Sequence, residues 1–402
     1  MFSDFEINFT IEILKLLNAD NKPNAFSPMS IFNSLAIILA GSEGPGANQI
    51  CTVIGKGKSR DAVIKNYASL INFCKALNES AIGHVYCKNL FLSDEPFTSP
   101  AAEVMHKFDA EYKQLNFDAD AFLREINDFV SQNTKNQINN CITNKDVSLM
   151  KKSVTIVNAL YVDHIWDNPF TYESLFQFLE PPFKHYSVRK TRCIFRQIEN
   201  EGWNLTQGEN WKCLGIPYKS RKTWIHILLP NEYGDLNELL QKFDVEMFKK
   251  CIAKQAARKM KVIIPVFEVE TKICLNEILN KLGFTDIFNA ENVSNILSHP
   301  CYVNNFFHST KINVNQTGLE TPFYMNLTKE ERFKLAEEQE YEPEIDFEGW
   351  KRLEREERDE DAEIEDLEIE RFNANHPFIY FVTLVNDSVE DLKTIITMGK
   401  YC

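Results

Sequence analysis

Side chains able to do chemistry are plentiful in this sequence, but none stands at a spacing that a reaction requires. The eight histidines (His84, His106, His164, His185, His226, His299, His308 and His376) show no i, i+4 pairing with each other or with a cysteine. No helix face therefore offers the paired ligands of a zinc site. The ten cysteines are scattered and include no CxxC, so they are read as free thiols rather than a redox or metal motif. A GxSxG nucleophile turn, a phosphate-cradling GxxxxGK[ST] loop and an HExxH helix are all absent. Gly55 and Gly57 form a GxG without a third glycine and are read as a surface turn. The expectation is a protein that is not an enzyme and uses no metal and no cofactor.

Charge is the strongest local signal. Between Lys329 and Arg371 there are 20 Asp and Glu against eight Lys and Arg, so −12 of the net −14 lies in this block. Nucleic acid is not expected as a partner, because phosphate contacts need the opposite sign. The stretch EGWKRLEREERDEDAEIEDLEIERF carries Glu and Arg at i, i+4 spacings, each pair worth only a few tenths of a kcal/mol. It reads as an exposed insertion with room for a binding role.

The remaining sequence has the means to bury a core: 44% of the 402 residues are hydrophobic, and 30 are Phe. No apolar run approaches the roughly 18 residues of a membrane span, so no membrane association is expected. Phe5, Phe9, Ile13, Leu16 and Leu17 recur at helical spacing near the N-terminus, with acids rather than a basic region beside them. That reads as an amphipathic helix and not a signal peptide. The expected location is cytoplasmic, the alternative being secretion without a classical signal. The sequons at Asn8, Asn78, Asn204 and Asn326 are what chance supplies in an Asn-rich chain.

The first 150 residues read as helices joined by short turns. The Ser27-Pro28 entry opens an apolar helix ending near Gly41, Gly44 and Gly46, and Phe122, Ile126, Phe129 and Val130 mark one face of another. From residue 153 onward, SVTIVNALYVD, WKCLGIPYKS, TWIHILLP, KVIIPVFEVET, NNFFHSTKINVNQTG, HPFIYFVTLVND and TIITMGKYC read as strands. DLNELLQKF and LNEILNKLG read as helices among them. Strands and helices alternate without a βαβ rhythm or a dividing linker. That predicts one α+β domain over 1–402, with mainly antiparallel sheet.

Five segments, taken in order, resemble the serpin family. AFSPMSIFNSLAIILAGSEG is similar to the entry of the family's second helix, and TIVNALYVDHIWDNPF to its NAxYFKGxWxxPF strand, with Asn158, Ala159, Tyr161, Trp166, Pro169 and Phe170 matching. KVIIPVFEVET, LGFTDIF and NANHPFIYFV through TMGKYC resemble three further family motifs, the last stopping short at Cys402. The resemblance implies the serpin fold: three mainly antiparallel β-sheets, eight to nine helices and an exposed reactive-centre loop. It also implies that a protease cleaves this loop, and that the loop then inserts as a new central strand and traps the enzyme. By resemblance, Ser27, Asn158 and His308 belong to a polar cluster where the sheet must part, and Trp166 stands at the top of that sheet.

The expected hinge departs from the inhibitory pattern. Gly318 and Glu320 match, but Leu319 replaces a small residue, and Thr321, Pro322, Phe323 and Tyr324 replace alanines. The segment 319–374 is read as hinge plus an extended acidic reactive-centre loop. Family spacing counted forward from the hinge puts the scissile bond near Arg332 and Phe333, suiting a trypsin-like serine protease; counted back from His376 it falls near Asp366. The expectation is a monomer that presents protease bait and inhibits poorly or not at all. The alternatives are a working trypsin-like protease inhibitor, or another protein bound through the acidic loop.

Overall fold

The structure, a computed structural model, describes residues 3–19, 22–55, 58–78, 83–116, 118–146, 153–180, 187–232, 236–289, 292–318 and 369–402. Nine α-helices occur among them: α1 (Asp4–Leu16), α2 (Pro28–Gly41), α3 (Pro45–Gly55), α4 (Arg60–Asn78), α5 (Ser99–Lys107), α6 (Ala119–Asn133), α7 (Leu236–Lys242), α8 (Val245–Ile252) and α9 (Asn276–Lys281). None is long and apolar enough to cross a membrane.

Local chemistry explains several of these boundaries. In α1, Ser3 and Glu6 form a reciprocal capping box, each side chain reaching the other's backbone N–H. In α6, Asp118 caps the first turn by accepting from the Asp120 and Ala121 N–H groups, and the buried face is Phe122, Ile126, Phe129 and Val130 as the periodicity predicts. α2 is buried on nearly every side, which its all-round apolar sequence demands. Gly44 and Gly46 do not simply stop α2: α3 starts at Pro45, and a Cβ added at Gly46 would lie 2.8 Å from the Asn292 carbonyl oxygen.

Among the described residues, fifteen strands make three sheets. The five-stranded sheet runs β11 (Phe267–Cys274), β12 (Tyr302–Val314), β4 (Ser153–His164), β2 (Gly83–Ser93), β3 (Glu111–Gln114). The six-stranded sheet runs β1 (Asn24–Phe26), β15 (Leu392–Tyr401), β14 (Phe378–Val385), β9 (Thr223–Pro230), β8 (Trp211–Pro217), β7 (Asn204–Gln207). The four-stranded sheet runs β13 (Glu370–Asn373), β10 (Lys259–Pro265), β6 (Ser187–Glu199), β5 (Tyr172–Glu180). Pairing is antiparallel except at β4/β12, β2/β3 and β10/β13.

Three sequence expectations are corrected here. KVIIPVFEVET is not one strand: the chain turns at Pro265–Val266, so β10 and β11 join different sheets. β2 and β6 were not expected as strands. In β6 the exposed Lys190 and Arg192 hide the buried Cys193, Ile194 and Ile198 from a simple apolar count. Lastly, the end of the expected 319–374 loop is not loop. Glu370–Asn373 pair with β10, and Phe372 is buried.

The main core joins residues of all three sheets and includes most of α2. A second cluster, with Phe122, Ile126, Phe129 and Val130 of α6, covers Leu90, Leu92, Val157, Ala159 and Phe307 on the opposite face of the five-stranded sheet. Alternate residues of β2, β4 and β12 thus face α2 and α6 in turn, as the two-residue period of a strand requires.

Candidate functional site

The seam between β4 and β12 gathers the polar residues singled out above. These strands lie parallel, with Asn158 opposite His308, and on the far side Asn158 is opposite Asn89 of β2. Asn89, Asn158 and His308 therefore form a row across three strands, on the face toward α2. Ser27, the N-cap of α2, donates its backbone N–H to His308 Nε2 at 2.9 Å and its hydroxyl to the Ile396 carbonyl at 2.7 Å. Thr310 Oγ1 lies 2.7 Å from the same imidazole nitrogen. Because Nε2 accepts from Ser27, the ring proton sits on Nδ1, facing Asn158 Oδ1 at 3.4 Å.

Asn158 completes the row. Its Nδ2 donates to Ser34 Oγ at 2.7 Å and also to Asn89 Oδ1, while the Ser34 hydroxyl donates to Asn89 Oδ1 at 3.0 Å. Every member is buried, so each hydrogen bond replaces water that cannot enter. Burial holds the His308 imidazole neutral, its pKa pushed down to about 3. Asn89, Ser34 and Thr310 were not anticipated. Asn89 follows Lys88 in VYCKNLFL without any mark of its role, and only the register identifies its partners.

The other face of the seam is strapped down. Cys141 Sγ lies 2.7 Å from Ser309 Oγ, the Lys272 ammonium donates to the Asn139 carbonyl at 2.6 Å, and Lys311 reaches the Gln137 carbonyl at 3.3 Å. The segment following α6 is thereby tied to β11 and β12.

At the top of the seam β4 and β12 separate beyond the Tyr161/Lys311 pair, and Trp166 fills the junction. Its indole is buried, stacked on Tyr218 at 4.6 Å and 5°, and donates Nε1–H to the Asn315 carbonyl at 2.8 Å. Its backbone N–H donates to the Thr317 carbonyl at 3.2 Å. Asn315 Oδ1 in turn accepts from the backbone N–H groups of Thr317 and Gly318 at 3.0 and 2.9 Å, shaping a tight turn. Gly318 adopts φ +81°, and a Cβ there would lie 2.6 Å from the His164 carbonyl oxygen and 2.8 Å from the Trp166 nitrogen. This is a position only glycine fits without strain.

Ser27, Asn158 and His308 thus meet in one network, and Trp166 and Gly318 meet at its upper end. The expected hinge residues Leu319, Glu320, Thr321 and Pro322, and the scissile candidates Arg332 and Phe333, lie outside the described residues. Among the described residues, no three His, Cys, Asp or Glu side chains converge on a point where a metal ion would bind.

Comparison with known proteins agrees with this architecture. The family model described as "Serpin (serine protease inhibitor)" matches residues 6–402. A leukocyte elastase inhibitor of Xenopus tropicalis is 24% identical over 98% of this chain and 97% of its own. Serpin B10 of Plecturocebus moloch is likewise 24% identical, over 98% and 97%. Among solved structures, uncleaved ovalbumin superposes with a TM-score of 0.77 at 17% identity, covering 100% of this chain and 99% of its own. Serpin48 of the insect Tenebrio molitor gives 0.76 at 18% identity, covering 99% and 97%.

Proposed function

Because this chain belongs to the serpin family, we propose that it presents the segment after Gly318 as bait for a serine protease and is cleaved there without efficiently trapping the enzyme. Loop insertion is the established mechanism of the family, so what needs explaining is how this chain departs from it. β4 and β12 are parallel neighbours. A strand that turned back from β12 and entered between them would run antiparallel to both. It would replace one parallel ladder with two antiparallel ones, the slightly stronger pairing. The slot therefore favours an incoming strand.

The residues that would enter first oppose it, and this observation carries the reading. Leu319, Glu320, Thr321, Pro322 and Phe323 follow Gly318 directly. Pro322 has no N–H to give to a ladder, and a carbonyl left unpaired inside the sheet costs about 1–3 kcal/mol. Strand alternation sends Leu319, Thr321 and Phe323 to one face and Glu320 to the other. α2 packs against one face of the seam and α6 against the other, so bulk added there costs about a further 1–3 kcal/mol. Trapping is a race between insertion and hydrolysis of the acyl-enzyme, and each 1.4 kcal/mol on the insertion barrier slows it about tenfold. Cleavage wins.

A second reading keeps the protein as an inhibitor of a trypsin-like protease, cut at Arg332 or Phe333. It is supported by the polar seam network and the Trp166–Gly318 junction, where the slot is otherwise well formed, and by a relative that is by name an elastase inhibitor. On either reading we take the protein to be a cytoplasmic monomer whose partner is a protease, with no part for nucleic acid, membrane, metal or cofactor.

Incubation with trypsin at near-equal concentration, followed by denaturing gels, separates the two. Clean cleavage without an SDS-resistant complex, and with no rise in melting temperature of the cleaved protein, is the expected result. A stable covalent band would overturn the proposal and put Arg332 under test by mutation.

A further inference from the structure

Six basic residues crowd the path from α8 into β10: Lys249, Lys250, Lys254, Arg258, Lys259 and Lys261, with no acid among residues 247–261. Lys249 pairs with Asp4 and Glu246. Lys250, Lys254, Arg258 and Lys259 are exposed, and none of them makes an ion pair among the described residues. The acids near them are few. Glu390 accepts from the Lys254 backbone N–H at 3.3 Å, Glu199 lies opposite Lys259, and Glu370 is paired with Lys212 at 3.3 Å.

The ridge is held rigidly. The Gln255 carbonyl accepts from Leu205 N–H at 2.9 Å, the Arg258 carbonyl from Asn200 N–H at 2.7 Å, and Ala257 N–H donates to Trp203 at 2.9 Å. Asn204 fastens it further by donating to the Ala253 carbonyl at 2.9 Å and accepting from Gln255 N–H at 2.7 Å. The cations therefore project from a fixed backbone.

What they face follows from strand register. β13 lies parallel to β10, with Glu370 beside Met260 and Arg371 beside Lys261. Two parallel neighbours arrive from the same end, so the chain entering Glu370 comes in from the side where Arg258 and Lys259 lead into Met260. That incoming chain is the acidic block: Glu363, Glu365, Asp366 and Glu368 immediately precede β13. At roughly 3.3–3.6 Å per extended residue, all four are tethered within reach of the ridge.

We propose that this basic ridge is the docking surface for the acidic end of the protein's own loop, residues 354–368. Docking holds that half of the loop against the four-stranded sheet and leaves the half following Gly318 to be presented. It requires nothing of the hinge, and so stands or falls separately from whether the loop inserts.

The test is digestion of the full-length protein by a glutamyl endopeptidase at low ionic strength, with cut sites assigned by mass spectrometry. The combined substitution Lys254→Glu, Arg258→Glu and Lys259→Glu is expected to accelerate cutting at Glu354–Glu368 by about fivefold, as several weak surface pairs are lost together. Cutting at Glu330–Glu348 stays unchanged. Salt at about 0.5 M should bring wild type to the same rate. Equal rates in wild type and variant, or equal acceleration of both halves, would overturn the proposal. Protection that weakens on dilution would also overturn it, since the occupant would then be a second copy of the chain. Should the reversal variant fail to fold, Lys254→Gln, Arg258→Gln and Lys259→Gln together provide the same comparison, with a smaller acceleration expected.

Discussion

His308 on β12 stands directly opposite Asn158 on β4, its Nδ1 3.4 Å from the Asn158 side-chain oxygen, at the seam where an inserting strand would have to pass. The two strands are held by their backbone ladder, and this pair adds a buried side-chain contact across it.

Acid should loosen the seam. Burial lowers the pKa of His308 to about 3, from 6.5 in the unfolded chain. The unfolded state therefore binds a proton below pH 6.5 that the native state refuses until near pH 3. Stability from this group is complete above pH 6.5 and falls as pH drops toward 3, by at most about 1.4 kcal/mol per pH unit. His226, buried against Phe381 and also lowered to about 3, adds a loss of the same sign. Urea unfolding from pH 7 to 4 should show His308→Gln with the shallower decline. Parallel curves for wild type and variant would refute this assignment.

Asn158→Ala removes the acceptor that faces His308 Nδ1–H and a donor to Ser34 and Asn89. An orphaned buried donor costs about 1–3 kcal/mol, and the small cavity adds to that. The expected loss is about 2–4 kcal/mol in denaturant unfolding. Amide exchange on β4 and β12 should accelerate more than on β14, which lies in the other core sheet.

Gly318→Ala forces a Cβ into the left-handed region and against the His164 carbonyl oxygen and the Trp166 nitrogen. A non-glycine residue held there costs about 1–3 kcal/mol, and the clash must be relieved by moving the Asn315 turn. The melting temperature should fall, and the quenching of Trp166 fluorescence should change, because the indole is hydrogen-bonded to Asn315 in that turn. An unchanged protein by both measures would mean the turn is not strained.

Repairing the hinge should restore insertion if residues 319–323 are what prevents it. Leu319→Thr, Thr321→Ala, Pro322→Ala and Phe323→Ala together restore the missing N–H donor and remove the bulk. The cleaved variant is expected to melt at a higher temperature than its intact form, with a fraction trapped on trypsin as an SDS-resistant complex. If cleavage still leaves the melting temperature where it was, the obstacle lies in the seam rather than in the hinge.

Much of this protein was determined by its sequence alone. Periodicity located α1, α2 and α6, because a helix buries one stripe and its spacing survives in the chain. Apolar β-branched runs located β4, β8, β9, β12, β14 and β15, since strands buried on both faces leave continuous hydrophobic stretches. Family motifs named Ser27, Asn158, His308 and Trp166. β6 escaped because Arg189, Lys190, Arg192 and Arg196 interrupt its apolar residues. The joint character of β10 and β11 escaped because a corner at Pro265–Val266 leaves the apolar pattern unbroken. Only the tertiary structure decided that Asn89, Ser34 and Thr310 complete the seam. It alone placed Gly318 against Trp166, and paired Glu370–Asn373 with β10. These are matters of register between segments far apart in the chain, and a shift of one residue would turn each of those side chains to the opposite face.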